Sequence, residues 1–275
     1  MNMLTSKRFE FSAAHRYWNA EWSAEHNWEV FGKCTSPYGH GHNYVLEVTV
    51  AGEVDAGTGM VINVADLKRI VGDILQQFDH KHLNEETPYF RERQPTTENI
   101  VQVLWGLIGP GLPEGVSLYR LRLYETPDIF AEFYGGATAG FGRAYSFSAA
   151  HRLHNARLSP DDNLALYGKC NNPRGHGHDY RFELTLEGSV DPASGMVINL
   201  ADLDHRVQPV LDELDHTHLD RQHQFFFDRP STAENVVAYL WQRLSAALGS
   251  RLRWIRLWET PNNIFEYGAS DERTR

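Results

Sequence analysis

His40 and His42 flank Gly41, and His176 and His178 flank Gly177. In extended backbone, residues two apart point to the same face, so each pair presents two imidazoles side by side with glycine leaving space around them. A further histidine lies 25 residues upstream of each pair, His15 before His40 and His151 before His176. Three neutral imidazoles suit a zinc ion whose fourth position stays open, the arrangement of a catalytic rather than a closed structural site. A single His-Gly-His is as readily a surface loop, but its recurrence with the same upstream partner favours metal, one ion per triad.

Other residues near these triads could also do chemistry. Cys34 and Cys170 each lie six residues before a His-Gly-His. Each reads as a small buried hydrophobe, as a fourth metal ligand, or as a thiolate made acidic by a nearby cation. Asp79-His80 and Asp215-His216 are carboxylate and imidazole pairs suited to proton transfer, or polar residues that end a helix. Glu98 and Glu234 follow helix starts, so capping is their leading role. Glu125 and Glu259 instead close apolar alternating strands on the side of the preceding aliphatics. A buried carboxylate there needs a cationic or multiply donating partner, and a heterocycle with adjacent N–H donors would serve.

These residues come in two sets because the chain repeats itself. Phe11-Ser-Ala-Ala-His-Arg16 recurs 136 positions on as Phe147–Arg152, and the same offset carries Gly32-Lys-Cys34, Gly39–His42, Gly59-Met-Val-Ile-Asn63 and Asp79-His80 onto their copies. So long a period marks a duplicated domain rather than a solenoid, whose repeats are about 20 to 50 residues. The sequence divides into domains at 1–136 and 141–275, with the Gly-rich stretch 135–140 as linker.

Within one repeat, Phe9, Phe11, Ala13 and His15 alternate with polar residues as a half-buried strand does, and Tyr180, Phe182, Leu184 and Leu186 do so in the second copy. Asn63 caps an expected helix with Val64, Leu67, Val71, Ile74, Leu75 and Phe78 on its apolar stripe. Pro209 should kink or delay the equivalent helix. Thr96 or Thr97 begins a second helix, Ser231–Glu234 has a capping-box pattern at the same place, and Leu118–Glu125 forms a final strand. An additional strand is possible near Gly59–Ile62. The expected fold is α+β, with helices covering one face of an antiparallel sheet.

Composition narrows the function. A formal charge of -10 is a poor match to nucleic acid, which is bound chiefly through its phosphates. No apolar run approaches the roughly 20 residues that span a bilayer, and the first residues lack a secretion-signal layout, so a soluble cytoplasmic protein without membrane association is expected. Two cysteines, equivalent by repeat, fit a reducing compartment.

The ordered set Phe-Ser-Ala-Ala-His-Arg, Gly-Lys-Cys, Gly-His-Gly-His, Gly-Met-Val-Ile-Asn, Asp-His, Thr-Glu-Asn and Glu-Thr-Pro resembles the 6-pyruvoyl-tetrahydropterin synthase and 6-carboxy-tetrahydropterin synthase family, twice over nearly the whole chain. The resemblance implies tandem T-fold (tunnelling-fold) domains assembling into barrels, and a dihydroneopterin triphosphate substrate. It implies one zinc on His15, His40 and His42 and another on His151, His176 and His178. Cys34 and Cys170 would be the proton-abstracting base and Asp79-His80 and Asp215-His216 the proton relay. Glu125 and Glu259 would anchor the pterin, with Thr96 and Thr232 also binding substrate. Zinc would acidify C–H bonds beside the hydroxyls it holds, the thiolate would remove a carbon-bound proton, and loss of triphosphate would complete the elimination.

Five residues separate cysteine from His-Gly-His in both repeats, the spacing more typical of the pyruvoyl-forming lyase than of the carboxy-pterin enzyme of the queuosine route. That second activity is the alternative, and a non-catalytic zinc-stabilised pterin-binding or assembly module is a third. The first half departs from the pattern at Tyr17–Trp22 and at Pro127–Phe130, which puts substrate fit there in question. Family assemblies are dimers of trimers, so three tandem chains would supply six domains, and a homo-oligomer, specifically a trimer, is expected.

Overall fold

The computed structural model describes residues 3–269. The chain forms two compact units. One comprises the residues up to Gly142 together with Glu187–Asn199, and the other Arg143–Leu186 together with the chain from Leu200 on. The segment 187–199 thus belongs to the second repeat by sequence and to the first unit by packing.

In the first unit, the order is β1 (Met3–His15), α1 (Ala24–Phe31), β2 (His40–Gly52), α2 (Val64–Leu75), β3 (Lys81–His82), α3 (Leu83–Glu86), α4 (Thr97–Ile108), β4 (Val116–Thr126) and β5 (Ile129–Phe133). The sheet runs β5-β4-β2-β1-β3, antiparallel except for the short parallel β1–β3 pair. Alternation does what the sequence pattern requires: Phe11, Ala13, Tyr44, Leu46 and Val48 are buried on one face, which α2 and α4 cover. In α2 the stripe is Leu67, Val71 and Leu75; Val64 is exposed and Phe78, though buried, lies beyond the helix end. Asn63 caps α2 by accepting from Ala65 N, and Thr96 caps α4 by accepting from Asn99 N.

The second unit repeats the plan with β6 (Ala139–His151), α5 (Pro160–Tyr167), β7 (His176–Gly188), α6 (Leu200–Leu214), β8 (Thr217–His218), α7 (Leu219–Gln222), α8 (Ala233–Leu248), β9 (Leu252–Thr260) and β10 (Asn263–Gly268). Its strands run β10-β9-β7-β6, with β8 on β6. The α+β expectation therefore holds in each unit.

Several local expectations change. The repeats contain α1 and α5 between the first two strands, too short and too weakly amphipathic to read from periodicity, and β5 and β10 after the strand expected to be last. Gly59–Ile62 is a turn and not a strand, because Gly59 takes φ +70° and its N–H donates back to Asp55 O. Strand β6 starts at Ala139, inside the expected 135–140 linker, because Ala139 and Phe141 are buried. Pro209 neither delays nor ends α6: it lies on the exposed side, while Leu203, Val207, Val210 and Leu214 hold the helix down. Thr232 precedes α8, but its side chain makes no cap bond.

Candidate active site

Strand register builds the first histidine cluster. His15 pairs directly with His40 and Ala13 with His42, so all three imidazoles hang from one face at the ends of β1 and β2. His15 Nε2 lies 3.1 Å from His40 Nε2, and one nitrogen from each of the three rings falls within a 4.8 Å set. Two ligands at about 2.0–2.1 Å from a tetrahedral zinc are about 3.3 Å apart, so the spacing fits. His15 Nδ1 sits 3.2 Å from Pro95 O and 3.0 Å from the Tyr44 hydroxyl. A proton on Nδ1 donated to Pro95 O leaves the Nε2 lone pair turned toward the other two rings. Buried His42 Nε2 has no hydrogen-bond partner, an expense that a metal ion would relieve.

Burial favours the neutral form of two of the three rings. Burial pushes the fully buried His15 down to about 4, against the opposing pull of Glu125, and burial likewise lowers His40. Neutral imidazole is the form that binds metal. In the second unit His151 Nε2 and His176 Nε2 are 3.0 Å apart, His178 completes the set, and burial lowers both His151 and His176.

Glu125 ends β4 facing the cluster, with Oε1 3.4 Å from His42 Nε2. Its other oxygen accepts from Thr97 Oγ1 at 2.5 Å and Tyr17 OH at 3.2 Å. Burial, then Glu125, keep the Tyr17 hydroxyl protonated well above the usual phenol range. Tyr17 and Thr97 hold this carboxylate beside the cluster, a role that the sequence alone did not reveal. The available signal was that they replace Leu153 and Ala233 in otherwise matching motifs. Glu259, without either hydroxyl, sits 3.9 Å from both His151 and His178 and accepts from Asn263 Nδ2 at 3.3 Å. Two departures of the first repeat thus act on its Glu125 carboxylate, and Tyr17 also packs its ring 4.7 Å from that of His15.

Cys34 is half-buried, and its carbonyl accepts from Tyr17 N at 2.9 Å. Burial, with Glu125 second, pushes its thiol up to about 11. Cys170 has the same backbone tie to Leu153 N. Asp79-His80 stands elsewhere, at the outer edge of β1. Asp79 accepts from Ser12 N, His80 N donates to Ser12 O, and the two side chains pair at 3.0 Å. Ser12 N, then His80, hold the Asp79 carboxyl below its ordinary value. Among the described residues neither touches Cys34 or the histidine cluster. His80 and His216 both take left-handed backbone, φ 58° and 57°, unusual for non-glycine residues.

Glu98 and Thr96 make contacts beyond those expected at a helix start. Glu98, 2% exposed, accepts from Val197 N at 3.0 Å, so it receives a segment of chain as well as standing at a helix start. Thr96 Oγ1 donates to Gly195 O at 2.6 Å, which engages the side chain proposed for substrate. Elsewhere in this unit, a cavity of about 680 Å³ is lined by Arg16, Arg91 and Arg93, with Glu85 and Glu92 beside them.

The family model for 6-pyruvoyl tetrahydropterin synthase matches residues 4–136 and again 142–270, and the chain belongs to this family, with its domain present in tandem. The 6-pyruvoyl tetrahydrobiopterin synthase of Homo sapiens is 46% identical over 131 residues, 47% of this chain and 90% of that protein. A putative 6-carboxy-5,6,7,8-tetrahydropterin synthase of Archaeoglobus fulgidus is 35% identical over 114 residues, 42% of this chain and 90% of that protein. The solved Caenorhabditis elegans 6-pyruvoyl tetrahydropterin synthase is 44% identical, covering 50% of this chain and all of that one, with a TM-score of 0.48. Each half has the T-fold of that family. No helix among the described residues is long and apolar enough to cross a membrane.

Proposed function

We propose that the chain is a zinc-dependent lyase that converts 7,8-dihydroneopterin triphosphate to 6-pyruvoyl-tetrahydropterin with loss of triphosphate. The observation that carries this reading is the meeting, at the ends of β1, β2 and β4, of three imidazoles with the Glu125 carboxylate, 3.4 Å from His42. His15, His40 and His42 hold one zinc, and His151, His176 and His178 a second. When bound, zinc supplies Lewis acidity to substrate hydroxyls.

The chain's own residues do the rest. Glu125 and Glu259 accept from pterin ring N–H groups, and in the first unit Thr97 and Tyr17 fix the orientation of that carboxylate. Cys34 and Cys170 remove a carbon-bound proton, and Cys34 becomes a competent base only as a nearby cation offsets the cost of burying its charge. Asp79-His80 and Asp215-His216, exposed at strand edges, relay protons to a site on a neighbouring domain. The arginines of the 680 Å³ cavity supply the local positive charge that a triphosphate needs on a net-acidic chain. A homo-oligomer follows from the edge position of these pairs, with three tandem chains supplying six domains.

Incubating the zinc-loaded chain with dihydroneopterin triphosphate and identifying the product by mass spectrometry tests the reading. A pyruvoyl product with released triphosphate supports it, and a carboxy-pterin or unchanged substrate overturns it.

A further inference from the structure

Glu125 and Glu259 end equivalent strands beside equivalent triads, yet they are held differently. Glu125 Oε2 accepts from Thr97 Oγ1 at 2.5 Å and from Tyr17 OH at 3.2 Å, so both lone pairs of that oxygen are engaged. Both donors are themselves fixed. Thr97 is buried in the first turn of α4, and Tyr17, also buried, donates its N–H to Cys34 O and packs its ring against Phe31. Hydrogen bonds from buried hydroxyls to a carboxylate are the strong kind, and turning Glu125 would break two of them. In the second repeat the same two positions are Leu153 and Ala233, whose side chains offer no donor. Glu259 Oε2 accepts instead from exposed Asn263 Nδ2 at 3.3 Å.

The other oxygen of each carboxylate faces the imidazoles. Glu259 Oε1 is 3.9 Å from both His151 Nε2 and His178 Nε2, and Glu125 Oε1 is 3.4 Å from His42 Nε2. Ligand atoms around one tetrahedral zinc stand about 3.3 Å apart, so Glu259 Oε1 is about 0.6 Å too far from two of the three nitrogens. Neither carboxylate belongs to the 4.8 Å set of its unit, so each must rotate to join it. Rotation draws Glu125 off two buried hydroxyls, whereas it costs Glu259 one exposed bond to an amide. A carboxylate oxygen is a good zinc donor, and its arrival closes the fourth position that three imidazoles leave open.

We infer that Glu259 is the fourth ligand of the second metal site while no substrate is bound, whereas Glu125, pinned by Thr97 and Tyr17, leaves the first site open. The inference rests on the zinc reading above and deepens it. In the second unit anchor and ligand are one group. A pterin N–H that takes Glu259 Oε1 must displace the metal from it, so seating the ring is what frees the fourth position there. In the first unit the two roles are separate: Glu125 is already aimed, and the fourth position already stands free for a substrate hydroxyl. The added carboxylate also offsets part of the ion's charge, so the second site holds its metal more tightly and releases it more slowly.

Full-length chains with one triad disabled separate the two sites. His40→Ala with His42→Ala leaves only the second, and His176→Ala with His178→Ala only the first. Each is loaded with zinc, its metal content measured, and the ion withdrawn by excess chromophoric chelator. The second site should release zinc about tenfold more slowly than the first. Glu259→Gln, whose amide is a poor zinc donor, should bring the second site to the first-site rate, while Glu125→Gln leaves the first-site rate nearly unchanged. Transplanting the pin, Leu153→Tyr with Ala233→Thr, should likewise speed release from the second site, and Tyr17→Leu with Thr97→Ala should slow it from the first. Cobalt in place of zinc reads coordination directly: the visible spectrum of the second site should change with Glu259→Gln, and that of the first should keep its form with Glu125→Gln. Absence of zinc from both chains, seen in the metal content, would remove the functional reading itself. Equal release rates from two loaded sites, or a cobalt spectrum indifferent to Glu259→Gln, overturns this inference alone.

Discussion

Replacing Glu98 by glutamine should change how stability depends on pH. Glu98 is fully enclosed between α4 and the 187–199 segment, and burial pushes its carboxyl up from 4.5 to about 7, with donation from Val197 N opposing and the Glu125 charge assisting. The folded chain therefore holds this proton more tightly than the unfolded chain. The associated stability is fully present below about pH 4.5 and is lost as pH rises toward 7. At about 1.4 kcal/mol per pH unit, ionising Glu98 across that window costs about 3 kcal/mol. Glu98→Gln keeps an acceptor for Val197 N and cannot ionise. Urea unfolding of the metal-loaded wild type and variant between pH 5 and 8 should give curves that diverge with pH, the variant gaining on wild type by about 3 kcal/mol at the alkaline end. All other titrating groups are common to both proteins and cancel in the difference. Parallel curves would show that Glu98 is solvated or otherwise paired, and would refute the argument that the segment seals it.

Purified protein should hold two zinc ions per chain, and the His40→Ala, His42→Ala double variant should keep one by metal analysis, since the second triad is separate. Cys34→Ala and Cys170→Ala should each lower turnover at full zinc loading, with the pair together nearly inactive; wild-type turnover in the double variant would assign the base elsewhere. In metal-free protein, alkylation of Cys34 should rise with a midpoint near 11, and reaction at an ordinary thiol midpoint would contradict its burial. Thr97→Val should raise the KM of the first unit more than it lowers kcat, measured in a Cys170→Ala background, because Thr97 orients Glu125 and touches no reacting atom.

The sequence made the periodic and repeated parts of the fold legible, because two-residue alternation in β1 and β2 and the Leu67-Val71-Leu75 stripe follow directly from burial. It placed the three histidines of each triad together, since strand register brings positions 15, 40 and 42 onto one face. It could not place Asp79-His80, whose position depends on how α2 returns to the β1 edge. Nor could it foresee that Glu98 and Thr96 receive another segment: their types suit a helix cap equally well, and only tertiary packing tells the two uses apart. Pro209 misled because its cost depends on which side of α6 it occupies, which the residue type alone does not state.

The exchange of residues 187–199 into the first unit changes what counts as a half of this protein. A cut at the repeat boundary is not a cut at a folding boundary: residues 1–141 alone would expose Glu98 and Thr96 and lack the strip of chain that closes over them. On the ribosome the N-terminal unit cannot finish until residue 199 has emerged, by which time β6 and all of β7 have already been made. The two repeats, though copied from one another, must therefore mature together, the later supplying the last piece of the earlier.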